Sequence, residues 1–216
     1  MTDYGIREFS RDFDVSRETL QRLEQFAALL ERWNRRINLV SKESLNKIWC
    51  RHIADSAQLA DVIPPYDGPL ADIGSGAGFP GMVLAILGRP DVHLIESNSR
   101  KCAFLNEAAR ITEAPVRIHN LRLNSDGAPP AALLRTEVIT ARAVSPLTNL
   151  LDIVCHMMYD RTCCIFPKGA RVEDEIGEAL RNWEFDMERV ASKVEPGGVI
   201  LILRHVRRQG RKDAAI

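Results

Sequence analysis

The chain has 216 residues, 45% of them apolar, enough for one sizeable core or a core with a small appendage. Lysine plus arginine and aspartate plus glutamate both total 29, so the net charge is zero and any nucleic-acid binding must come from a local patch. The five cysteines show no CxxC spacing, no apolar leader opens the chain, and no apolar run approaches the ~20 residues of a membrane span. These features predict a reduced, cytoplasmic chain with no membrane segment.

Residues 1–15 are polar and are expected to be loose. Ser16 can cap a helix, because its hydroxyl can accept from the free N–H groups of the first turn. Leu20, Leu23, Phe26, Ala27, Leu30 and Trp33 then recur at helical spacing. A second helical pattern runs through Leu45, Ile48, Trp49, Ile53, Ser56 and Leu59 and stops before Pro64-Pro65, whose rings block continuation. Residues 1–65 therefore read as an N-terminal helical extension, and 66–216 as the main domain of one compact unit.

The rhythm changes after residue 66. "LADIG" (70–74), "VHLIES" (92–97), "VRIHN" (116–120), "EVITARAV" (137–144) and "CCIFPKG" (163–169) have the composition of strands. Helical patterns lie at 80–88, 99–111, 146–158 and 171–181. This alternation predicts five βα units and a mostly parallel sheet. "FDMERVASKV" and "VILILRHV" flank Glu195-Pro196-Gly197-Gly198, a turn signal that predicts a closing antiparallel hairpin and a total of seven strands.

Gly74, Gly76, Gly78 and Gly81 crowd the loop after the first strand. A loop there sits at the carboxyl edge of the sheet, where open α/β folds bind ligands. Two ligand classes compete. Gly76-Ala77-Gly78-Phe79-Pro80-Gly81 fits the G-x-G-x-x-G spacing of a dinucleotide site, with Glu96 about twenty residues on. Asp72, two residues before Gly74, instead completes an Asp-x-Gly-x-Gly-x-Gly pattern that resembles the first motif of class I S-adenosylmethionine-dependent methyltransferases. A carboxylate at the loop entrance suits a ligand with a sulfonium and an ammonium group and would repel pyrophosphate. Glu96, ending the second strand, can accept from the two ribose hydroxyls.

Further stretches form a fixed series: "LLERWNRRINLVS", "RHIADS", "DIGSGAGFPG", "IESNSRKCAFL", "TARAV" and "PKG". Together they resemble the bacterial glucose-inhibited division protein B family over about residues 20–205. The resemblance implies a Rossmann-like class I methyltransferase fold. It also implies transfer from S-adenosyl-L-methionine, with S-adenosyl-L-homocysteine as product, to N7 of a guanine in 16S rRNA of the small ribosomal subunit (guanine-527 in the usual rRNA numbering). By position, Gly74 and Phe79 match residues lining the cofactor pocket. Leu123 and Asn124 (or, one register earlier, Arg122 and Leu123) match the pair near the adenine, with Asn124 where the family commonly has Glu. Arg142 in "TARAV" matches an arginine of the cofactor and substrate site. Lys168 in "PKG" matches a lysine facing the RNA. Arg142 and Lys168 are thus expected to position substrate, and Asp72, Gly74, Gly76, Gly78, Phe79, Glu96, Leu123, Asn124 and Arg142 to hold the cofactor.

No general base is expected, because guanine N7 offers a lone pair and no proton; orientation and desolvation should supply most of the acceleration. The [N/D]-P-P-[Y/F/W] motif of amine methyltransferases is absent after the fourth strand, where "ARAVSP" stands. Cys163-Cys164 lie in an apolar strand, where thiols are commonly inert. His52 and Asp55 lack a third ligand at useful spacing, so no metal is expected, and Arg51, His52 and Asp55 read as a hydrogen-bonded cluster fixing the extension near the pocket. His93 and His119 read as core or edge residues. Basic residues crowd two places, Arg32, Arg35, Arg36, Lys42, Lys47 and Arg51 near the front and Arg204, Arg207, Arg208, Arg211 and Lys212 at the tail, and either cluster could grip phosphates. A monomer is expected. A small-molecule methyltransferase, a nicotinamide-dependent oxidoreductase and a non-catalytic RNA-binding module stay as alternatives at this level.

Overall fold

The structure is a computed structural model that describes residues 4–65, 67–125 and 127–210. The first helix, α1 (Ile6–Asp12), lies where loose chain is expected. It is held because Phe9, fully buried, stacks on Phe13 at 4.7 Å and tilts against Trp49 at 5.5 Å. One anchored aromatic contributes about 1.5–3 kcal/mol, which outweighs the polarity of the surrounding segment.

Helix α2 (Arg17–Asn34) starts as the sequence predicts, with the Ser16 hydroxyl accepting from Thr19 N at 3.1 Å. At its end the Asn34 amide oxygen accepts from Leu39 N and Val40 N at 2.8 and 3.0 Å, which turns the chain back. A short α3 (Lys42–Leu45) follows. The next helical segment changes pitch twice: a π-helical stretch Trp49–Ala54, then α4 (Asp55–Ala57), then a 3₁₀ turn Gln58–Asp61. Such single-turn π stretches re-aim side chains and recur at functional sites.

The main domain is a seven-stranded sheet: β1 (Leu70–Ile73), β2 (Val92–Glu96), β3 (Val116–Asn120), β4 (Val138–Ala141), β5 (Cys163–Lys168), β6 (Trp183–Ala191) and β7 (Val199–Arg208). Their order is β3-β2-β1-β4-β5-β7-β6. The first five are parallel, and β7 runs antiparallel to both β5 and β6, so the expected mostly parallel sheet with a terminal hairpin is what forms. The hairpin closes through Glu195–Gly198, where Gly198 N donates to Glu195 O at 2.9 Å and Gly197 takes φ +75°. A residue with a Cβ would be strained there.

Helices α5 (Gly81–Ile86), α6 (Ser99–Thr112), α7 (Leu147–Val154) and α8 (Val172–Ala179) follow β1, β2, β4 and β5. The expectation of five βα units is corrected to four. Between β3 and β4 the only helical turn among the described residues is 3₁₀, Ala131–Leu133, because Pro129-Pro130 prevents an α-helix from starting earlier.

Two apolar layers sandwich the sheet. On one face Phe26, Leu30, Ile53 and Leu59 of the N-terminal helices share a core with Met82, Leu94 and Phe104. On the other, Leu150, Leu151, Phe166 and Trp183 pack with Ile73 and Ile139. The N-terminal helices therefore form one of the layers that cover the sheet. No helix among the described residues is long and apolar enough to cross a membrane.

Candidate functional site

The loop from Gly74 to Phe79 leaves β1 at the carboxyl edge. Gly74, Gly76 and Gly78 all take positive φ (+65°, +56° and +88°). Gly74 also needs its bareness for space, since a Cβ there would meet Val144 Cγ2 at 2.7 Å. The loop is tied to the second strand by Ser75 N donating to Ile95 O at 3.0 Å and by Gly76 N donating to Glu96 Oε2 at 3.0 Å.

Asp72 is fully buried. Its Oδ2 accepts from Gly81 N at 3.1 Å and its Oδ1 from the Thr140 hydroxyl at 3.0 Å. Burial raises its pKa to about 6, against the lowering pull of those hydrogen bonds. Asp72, expected at the loop's door, is turned into the protein, where its two oxygens brace the loop onto α5 and β4.

Phe79 is buried as well. It is 4% exposed and sits under the loop, stacked on His52 at 4.8 Å, tilted against Phe26 at 5.3 Å, with the Arg142 guanidinium 5.0 Å from its centroid. Gly78 is buried against Met82 and Leu105. These residues shape the loop from beneath.

Above the loop lies a cavity of about 530 Å³ walled by Gly74, Glu96, Leu123 and Asn124 of the expected set, with Arg122 beside them. Ile73, Ile95, Leu121 and Ile153 supply apolar surface. The Glu96 carboxylate accepts from Gly76 N and, at 2.7 Å, from Asn98 N. A carboxylate has about four lone-pair sites, so two stay available to a diol.

A second cavity of about 610 Å³ adjoins the first, and Val144 and Ser145 wall both. Ala143, just before them, takes φ +54°, a costly conformation for a residue with a Cβ, and it turns the chain into this partition. Arg142 and Lys168 both line the second cavity, as expected of substrate-positioning residues. Arg142 donates to Asp55 Oδ2 at 3.1 Å, to Arg51 O at 2.9 Å and to His52 Nδ1 at 2.6 Å. The expected Arg51–His52–Asp55 cluster is thus real, but Arg142 is its hub and Arg51 gives only its carbonyl, while its guanidinium pairs with Glu195. Burial, and then Arg142 and Arg51, lower the His52 pKa to about 3, so His52 is neutral. Lys168 Nζ donates to Glu175 Oε2 at 2.7 Å, and the same oxygen accepts from Leu147 N at 3.0 Å.

Sequence reasoning missed Glu175 and the Val144–Ser145 partition. "TARAV" contained Val144, but nothing in composition marks a residue as a wall. Cys163 and Cys164 are buried, and burial pushes both thiols upward, away from reactivity. His93 and His119 stack at 5.1 Å and share a hydrogen bond of 2.9 Å in the sheet. No group of three or more metal-ligating side chains occurs among the described residues. The tail arginines are neutralised, Arg207 by Glu184 at 2.8 Å and Arg204 by Glu188 at 3.3 Å across the hairpin, and Arg208 by Asp152 of α7 at 2.6 Å. Arg211 and Lys212 lie outside the described residues.

Residues 19–201 match the model of the family described as rRNA small subunit methyltransferase G. The protein named ribosomal RNA small subunit methyltransferase G from Rhodospirillum centenum is 45% identical over 207 residues, covering 96% of this chain and 94% of the relative. Its namesake from Paramagnetospirillum magneticum is 46% identical over 204 residues, covering 94% and 97%. Among solved structures, a TehB-like SAM-dependent methyltransferase from Corynebacterium glutamicum superposes with a TM-score of 0.56 at 14% identity, covering 84% of this chain and 98% of that one. That likeness assigns the fold, the Rossmann-like class I methyltransferase arrangement.

Proposed function

The chain belongs to the rRNA small subunit methyltransferase G family, and from that premise we propose that it moves a methyl group from S-adenosylmethionine to N7 of a guanine in 16S rRNA. The observation that carries this reading is the pair of cavities at the carboxyl edge with Val144 and Ser145 as common wall. A donor in one and an acceptor in the other can meet directly at the edge the two cavities share beside Val144 and Ser145.

The first cavity fits the donor. Its apolar walls suit an adenine, the free acceptor sites of Glu96 suit the ribose hydroxyls, and the bare Gly74 lets a ligand approach the main chain. When bound, S-adenosylmethionine supplies a methyl group on a cationic sulfur.

The second cavity suits a guanine lifted out of its stack. The ring presents O6 and N7 as adjacent acceptors. A donor must take O6 and leave N7 free, and Lys168 beside Ser145 is the group we assign to O6. Arg142, held on Phe79 and Asp55, fixes the base against the partition. The N7 lone pair forms the new N–C bond as the S–C bond breaks toward sulfur, giving S-adenosylhomocysteine and a ring with positive charge. No proton moves. Asp55 and Glu175 neutralise Arg142 and Lys168, so the cavity does not repel that charge.

The five cysteines are free and large exposed apolar residues are few and scattered, which supports a cytoplasmic monomer. The test is transfer of labelled methyl from S-adenosylmethionine to small subunits from a strain lacking this gene. Label in 7-methylguanosine of 16S rRNA is expected; label in another nucleoside, or none in RNA, overturns the reading.

A further inference from the structure

We propose that the groove between the end of α2 and the start of α6 is a second RNA contact, holding the backbone of a single-stranded segment with one base against Trp33. The proposal rests on the rRNA reading and names a surface outside both cavities described above. The groove encloses about 610 Å³ and is lined by Arg32, Trp33, Arg35, Arg36, Arg100 and Glu107, among others.

Charge accounting singles this surface out. The tail arginines Arg204, Arg207 and Arg208 are spent on carboxylates, as are Arg22, Arg110, Arg117 and Arg189. Arg32, Arg35, Arg36 and Arg100 are exposed, and among the described residues their guanidinium groups make no hydrogen bond or ion pair. The carboxylate in the groove, Glu107, is held by Arg110 in a two-point contact at 2.9 and 2.8 Å. Among the described residues, four guanidinium groups without a hydrogen bond or ion pair surround one concave surface, Arg32 acting on Glu107 only at longer range, and they leave a local excess of positive charge in a chain of zero net charge.

The groove also offers a ring. Trp33 is half-buried, pinned by its edge-on contact with Phe104 at 5.8 Å, and lines the groove floor. Cationic groups along a groove with a fixed aromatic is the combination that holds single strands, phosphates on the arginines and a base on the ring. The groove is joined to the first cavity through α6: Arg100 lies in the first turn of that helix, whose cap Asn98 donates its N–H to Glu96.

The experiment measures binding of the full chain to 16S rRNA transcript across 50–300 mM salt. It compares wild type, the pair Arg32→Gln and Arg36→Gln, and the pair Arg204→Gln and Arg207→Gln. Loss of two phosphate contacts on a single strand should flatten the slope of log K against log salt by about 1.4 and weaken low-salt binding by about tenfold or more. The tail pair should change neither. Binding of a single-stranded RNA octamer should quench tryptophan fluorescence in wild type and much less in Trp33→Phe. Unchanged S-adenosylmethionine affinity in every variant shows that the fold is intact. A groove pair that binds like wild type with the same slope overturns the proposal, as does a loss seen with whole small subunits but not with the transcript, which would mark a protein partner. If wild type binds the transcript but transfers no methyl group to 16S rRNA, the parent reading falls while the groove stands.

Discussion

Arg142, where β4 ends, and Asp55, on the N-terminal helices, form an ion pair at 3.1 Å with each side chain only 18% exposed. The pair joins the layer covering the sheet to the wall of the second cavity. Gln58 extends the link, donating to Asp55 Oδ1 at 2.9 Å and accepting from Lys193 N at 2.8 Å near the hairpin turn. Three distant parts of the chain are thus tied at the place where we set the guanine.

Breaking that pair should cost both stability and rate. Asp55→Ala leaves a mostly buried guanidinium without its counter-charge, and about 3–5 kcal/mol of destabilisation is expected. A double-mutant cycle with Arg142→Ala, read by urea denaturation, should give coupling of about 1–3 kcal/mol. Arg142→Ala should lower methyl transfer by about 100-fold or more, whereas Arg142→Lys, which keeps charge but loses the fork, should fall between. Zero coupling would mean that Arg142 is held by Phe79, His52 and the Arg51 carbonyl without help from Asp55.

The sheet and the position of the site were legible because βα alternation and a glycine cluster are local signals. The direction of Asp72 was not. All four β1 residues are buried, so the period-two rule cannot say which face an acid on this strand takes. Arg142 stands in a readable motif, but its partners lie about ninety residues earlier, and nothing in composition encodes that contact. The neutral tail had a visible clue: Glu184, Asp186 and Glu188 alternate on β6, and antiparallel pairing sets such acids opposite Arg204 and Arg207. The missing third helix also had one, Pro129-Pro130, which argues against a helix starting in that crossover.

Glu96 should govern donor affinity. Glu96→Gln keeps the length of the side chain but puts a donor where Gly76 N or Asn98 N now donates, and removes acceptor sites from the cavity. Titration calorimetry with S-adenosylmethionine should show at least tenfold weaker binding. Unchanged affinity would remove Glu96 from the proposed contacts.

Two helix glycines should respond in opposite directions to alanine. A Cβ on Gly81 would lie 2.5 Å from Leu94 Cδ2 and 2.8 Å from Asp72 Cβ, and the second of these cannot swing away. Overpacking of this kind costs about 1–3 kcal/mol, more than the gain in helix propensity, so Gly81→Ala should lower the melting temperature. Gly177, inside α8, has nothing within 4 Å of such a Cβ, and Gly177→Ala should stabilise by about 0.5–1 kcal/mol. Equal effects at the two positions would mean that α5 is free to shift off the sheet.

Asp72 and His52 should tilt stability in opposite senses as pH changes. Folded Asp72 keeps its proton to about pH 6, while the unfolded group loses it near 3.8. Its contribution is full below 3.8 and is lost as pH rises through 6. Folded His52 refuses a proton down to about pH 3, while the unfolded ring takes one near 6.5. Its contribution is full above 6.5 and is lost as pH falls toward 3. Between 3.8 and 6 the two slopes oppose each other, each reaching at most about 1.4 kcal/mol per pH step of one, so the wild type hides both. Asp72→Asn keeps an acceptor for Gly81 N and removes one slope, so relative to wild type the variant should lose roughly 2–3 kcal/mol more on acidification across that window. His52→Phe keeps the stack on Phe79 and should gain relative to wild type over the same change. Urea titrations at several pH values measure both differences. A variant-minus-wild-type difference that does not move with pH would mean that the buried group keeps its ordinary protonation, and the bracing role assigned to Asp72 would lose its electrostatic basis.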